Sequence, residues 1–127
     1  MKRVVAAVLG IVLGANALAM LFVGPMWYAT VPGVTGTGPY NAHFVKDIGA
    51  AYLIVAAGLA CSAVRPRIAV SAMIAGAGFL IVHAAIHVVD ELSGPNPLAE
   101  FTRDFAGVFL PAILAAWIAW PTRSVTA

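Results

Sequence analysis

Four long apolar stretches, Val4 to Val23, Phe44 to Val64, Ile68 to Val89 and Phe105 to Trp120, make up most of the chain, and most of its charge lies between them. Their lengths approach the roughly 20 residues that a helix needs to cross the hydrocarbon layer of a membrane. Local signals set the ends. The turn sequence GTGP leads to Asn41, a good N-cap, and Asn96 stands before Pro97, which suits a first helical position. RPR opens the third stretch. With these ends included, the spans run over 4–24, 42–64, 67–91 and 97–120. The pattern predicts an all-α, single-domain polytopic membrane protein, a four-transmembrane-helix bundle.

Composition sharpens the class. Of 127 residues, 62% are hydrophobic and 9% charged, and the mean hydropathy is +0.97; soluble domains carry about a quarter charged residues. The formal net charge of +2 reports topology rather than nucleic-acid binding. Lys2, Arg3, Arg65, Arg67 and Arg123 fall on one side of the membrane and only Lys46 and Arg103 on the other. The positive-inside rule then places both termini in the cytoplasm and the protein in the inner (plasma) membrane. The first stretch also has the layout of a signal peptide, with MKR, an apolar run and ANALA. Its apolar run, however, continues to Trp27 and Tyr28, an aromatic pair of the kind that ends a span. Cys61 is alone, which excludes a disulfide within the chain and suits a small packing residue.

In that topology all five acidic residues and all three histidines sit toward the extracytoplasmic side. Helical spacing aligns them, since residues three and four apart share a face. His83, His87 and Glu91 step by fours, His43 pairs with Asp47, and Glu100 with Asp104. The orientation of Asp90 and Glu91 stays open. A polar stripe at membrane depth is expected to face the bundle interior or a watery cavity. Two stretches also resemble each other. FVKDIGAAYL (44–53) aligns with FTRDFAGVFL (101–110), so that Asp47 matches Asp104 and Lys46 matches Arg103. The chain reads as two repeated helical hairpins or as convergent helix starts. In the repeat reading, Asp47 pairs with Arg103 and Asp104 with Lys46.

A pocket of His43, Asp47, His83, His87, Glu100 and Asp104 is therefore expected, flanked by an ion-pair network through Lys46 and Arg103. Three kinds of guest suit it. The HxxxH spacing of His83 and His87 lets two imidazoles hold one divalent metal ion, completed by His43, Asp47 or Glu91. A single b-type haem is less favoured and would take His43 with His83 or His87. A polar head group or a quinone-like ring needs no cofactor. The competing class is a structural or accessory subunit, alone, as a homo-oligomer or in a larger membrane complex, whose charged layer only stabilises the bundle. No nucleophile, phosphate loop or nucleic-acid patch occurs in the polar layer. Asn16 is expected to bond a neighbouring helix, Pro111 to kink the fourth span, and the Gly/Pro/Thr-rich segment 24–41 to act as a lid or an interfacial anchor.

The stretch HFVKDIGAAYLIVAAGL, together with the four-span length, resembles the small DoxX-like bacterial membrane proteins. The resemblance implies a four-helix membrane fold and a quinone-linked redox setting. It assigns no catalytic residue, and HAAIHVVDE in the third span has no counterpart in it.

Overall fold

The computed structural model describes residues 1–121, all helices and short connections; Arg123, which contributes to the charge count above, lies outside them. The elements are α1 (Lys2–Phe22), α2 (Gly24–Thr30), a 3-10 turn (Val34–Thr37), α3 (Ala42–Val64), α4 (Val70–Ser93), α5 (Pro97–Asp104), a π-helical turn (Phe105–Phe109) and α6 (Leu110–Ala119). α5, the π-turn and α6 form one continuous span, Pro97–Ala119, so that among the described residues four helices are long and apolar enough to cross a membrane. At 1.5 Å per residue, their 21 to 24 residues cover a hydrocarbon core of about 30 Å.

The spans form a ring in which α1 adjoins α3, α3 adjoins α4, α4 adjoins α6, and α6 returns to α1. Two successive hairpins side by side give this order. The α1–α3 interface is the largest and is built on small residues. A Cβ on Gly49 would lie 2.9 Å from Met20 Cβ and 3.3 Å from the Ala17 carbonyl, and one on Gly10 would lie 3.2 Å from the Ala56 carbonyl. Backbones approach that closely only where no side chain intervenes. Such packing drives association where apolar burial gives no preference for a neighbouring helix over lipid. The first apolar stretch is thus an integral wall of the bundle, burying Ala6, Leu9, Leu13, Ala17 and Met20 at helical spacing. At its start, Lys2 Nζ donates to the Trp120 carbonyl at 2.6 Å and lies 5.5 Å from the Trp117 ring centroid. It thereby satisfies carbonyls that the end of α6 leaves without intrahelical donors.

Helix limits follow local chemistry. Asn41 Oδ1 caps α3, accepting from the amides of His43 (3.0 Å) and Phe44 (3.1 Å). Pro97 occupies the first turn of α5, as expected, although Asn96 makes no side-chain cap bond. α1 stops earlier than the apolar pattern implies. Pro25 supplies no amide hydrogen to extend its ladder, the backbone turns at Val23, and α2 begins with the proline in its first turn. Trp27 therefore does not end the first span. It sits in α2 and folds back, its Nε1–H donating to Asn16 Oδ1 at 2.8 Å. That bond gives the mid-span Asn16 the partner it needs.

The fourth span is not simply kinked at Pro111. It widens into the π-turn immediately before, where the Leu110 amide bonds the Phe105 carbonyl. The wider turn relieves the clash of the proline ring with the carbonyl four residues back. It begins directly beyond Asp104, at Phe105.

Candidate metal centre

At the end of the bundle where α4 meets α5, three potential ligands converge. His87 and Glu91 lie one turn apart on α4, and Asp104 ends α5; one ligand atom from each lies within 4.8 Å of the other two. His87 Nδ1 is 3.0 Å from Asp104 Oδ2 and 3.7 Å from Glu91 Oε1. One imidazole nitrogen thus faces two carboxylates. Arg103 grips the far side of Asp104 in a two-point contact, Nε to Oδ1 at 2.6 Å and Nη2 to Oδ2 at 2.9 Å. Asp104 is well satisfied.

Glu91 is not. Its side chain is 2% exposed, and among the described residues neither Oε1 nor Oε2 has a hydrogen-bond partner. Burying an ionised carboxylate without compensation costs several kcal/mol or more, so buried carboxylates are normally paired, protonated or bound to a cation. The stripe Leu80, Ala84, His87, Glu91 explains why it turns inward: α4 places these positions on one face, directed at the α5–α6 span.

The sequence-derived pocket is only partly assembled. His87 and Asp104 meet as expected, and Glu91, whose orientation the spacing leaves open, completes the group. His83 is half-buried one turn deeper, but its ring belongs to an aromatic stack. It lies parallel to Phe79 (centroids 6.1 Å apart, 9°) and edge-on to Tyr52 (5.8 Å). It touches His87 ring to ring, 4.8 Å between centroids, and is not in the three-ligand group. Of the HxxxH pair, His87 alone belongs to the converging group.

His43 and Asp47 are turned away altogether. They pair with each other at 3.4 Å on the outer face of α3, 89% and 61% exposed. The haem arrangement that uses His43 with an α4 histidine is thus not brought together, because Val45, Gly49 and Tyr52, not His43, form the inward face of α3. Lys46 is exposed on α3, and the crossed pairs Asp47–Arg103 and Asp104–Lys46 are replaced by the local Arg103–Asp104 pair. Glu100 is half-buried but points back to the α4–α5 turn, where a Cβ on Gly94 would lie 2.7 Å from its Oε2. The two aligned aspartates thus have opposite fates.

A further element rests on Arg103. Gly33, in the left-handed region at φ 86°, lies over the Arg103 guanidinium, and a Cβ there would fall 2.6 Å from Nε and 2.7 Å from Cζ. The 24–41 segment is consequently an ordered strap seated on the arginine. Both ends are anchored: the Tyr28 hydroxyl donates to the Gly38 carbonyl at 2.6 Å, the Tyr28 and Tyr40 rings lie 5.5 Å apart, and the Tyr40 hydroxyl closes against Gly24.

One nitrogen and two carboxylate donors suit a borderline divalent ion such as zinc, whose usual ligands are imidazole, carboxylate and thiolate. As a ligand, His87 would present Nδ1 without its proton, the tautomer opposite to the one that donates to Asp104. No protein-family model, curated protein or solved structure matches this chain. The DoxX-like resemblance accordingly rests on HFVKDIGAAYLIVAAGL and the four-span length.

Proposed function

We propose that this multi-pass membrane protein binds a divalent transition-metal ion through His87, Glu91 and Asp104, on the extracytoplasmic side if the basic-residue count sets the orientation. The observation that carries this reading is the buried carboxylate of Glu91, without a hydrogen bond among the described residues and within ligand distance of His87 and Asp104. A cation supplies the missing charge, and the burial that makes an unpaired Glu91 costly makes a paired one strong. The alternative, a charged layer that only fastens α4 to α5, accounts for the His87–Asp104–Arg103 bonds. It leaves Glu91 with the 3.7 Å approach of His87 and no hydrogen bond among the described residues.

The test is metal analysis of the purified protein, followed by zinc titration of the chelator-stripped form. One zinc per chain, lost in Glu91→Gln with the helical spectrum unchanged, supports the proposal. Absence of bound metal together with no zinc binding to the stripped wild type would reduce the cluster to a fastening.

A further inference from the structure

Charge balance in a buried site depends on all the charges present, and the fourth member here is Arg103. With His87 neutral, Glu91 and Asp104 carry two negative charges, and the guanidinium neutralises one of them. A divalent ion added with Arg103 in place would leave one excess positive charge; with Arg103 withdrawn, the ion and the two carboxylates cancel. Uncompensated charge within a span costs several kcal/mol, so the second state is favoured. Sterics point the same way. Nε bonds Asp104 Oδ1 and Nη2 bonds Oδ2, which His87 also meets, so a metal on either carboxylate oxygen is crowded by the guanidinium.

Arg103 touches both Asp104 and the strap. Its side chain is 38% exposed, and Gly33 of the strap lies directly on it. We propose that Arg103 is the resident counter-cation of the site. A divalent ion entering the site takes its place on Asp104, and the departing guanidinium unseats the middle of the strap. The glycine at 33 is part of the device: its φ of 86° and its missing side chain let the backbone descend onto the guanidinium plane. The anchors at Tyr28 and Tyr40 hold the ends, so movement is confined to the segment between them. The site thereby reports its occupancy on the surface. This inference rests on the metal reading above.

Zinc alone is the probe, with two readouts on the full chain in detergent: zinc affinity, and amide hydrogen exchange of residues 31–38 followed by mass spectrometry. In the wild type, zinc is expected to accelerate exchange in that segment. Arg103→Gln removes the competing charge, so zinc should bind about tenfold tighter or more, while strap exchange is already fast and no longer responds to zinc. Gly33→Ala is the second variant, should Arg103→Gln fold poorly. Its methyl group separates strap from guanidinium without altering the charges, and faster exchange before zinc is added is expected, with zinc binding retained. Wild-type zinc binding without any change in strap exchange, or weaker zinc binding by Arg103→Gln, would overturn the counter-cation role while leaving the metal site standing. No zinc binding by the wild type removes the metal reading itself and this inference with it.

Discussion

Replacing Asp104 by Asn and Glu91 by Gln makes nearly the same chemical change at two points one hydrogen-bond layer apart, and the structure assigns them opposite effects. Asp104 accepts two bonds from Arg103 and one from His87 while 8% exposed. Breaking a fully buried pair by removing one partner costs about 3 to 5 kcal/mol, whereas an exposed pair contributes about 0 to 1. Arg103 keeps 38% of its surface and can be hydrated, which moves the estimate down; the His87 bond moves it up. A loss of about 2 to 3 kcal/mol is expected for Asp104→Asn. Glu91→Gln breaks no bond and replaces an ionisable group by a neutral amide, so without metal its stability should be unchanged or higher by about 1 kcal/mol. Reversible unfolding in mixed detergent micelles with chelator present measures both. Equal losses for the two variants, or a loss above about 1 kcal/mol for Glu91→Gln, would mean that Glu91 is partnered and would refute the reasoning that makes it a ligand.

Gly49→Ala should destabilise by about 1 to 3 kcal/mol, because its methyl would meet Met20 and the Ala17 carbonyl. Gly78→Ala, where a Cβ meets nothing within 4 Å, should instead be neutral or stabilising by up to about 1 kcal/mol from helix propensity; the same unfolding assay separates them. Lys2→Ala should cost about 0.5 to 1.5 kcal/mol, read as lower thermal stability with zinc binding unchanged. Zinc affinity should fall as the pH is lowered, since His87 and both carboxylates must bind the ion without protons; titrations at stepped pH check the sign, and a pH-independent affinity would exclude these ligands.

The spans were legible because bilayer thickness and apolar length speak directly, and the cap at Asn41 was legible because its amide partners are local. Facing was not. FVKD and FTRD are nearly the same words, yet Asp47 turns outward and Asp104 inward, because a helix buries whichever face its neighbours cover. α3 already fills its inward face with Val45, Gly49 and Tyr52 to meet α1 and α4. His83 and His87 share the HxxxH spacing, but Tyr52, from another helix, draws His83 into an aromatic stack that spacing along one helix cannot reveal. Glu91 was readable as a member of the α4 stripe; its burial without a hydrogen bond among the described residues depends on α5 and was not. The break at Val23 carried a signal in Pro25, and the π-turn carried one in Pro111.

The most direct measurement is X-ray absorption at the zinc edge of the zinc-loaded protein. A first shell of one imidazole nitrogen and carboxylate oxygens near 2.0 to 2.2 Å, losing an oxygen donor in Glu91→Gln, is the expected result. A shell with two or more imidazoles, or with sulfur from Cys61, would contradict the site described.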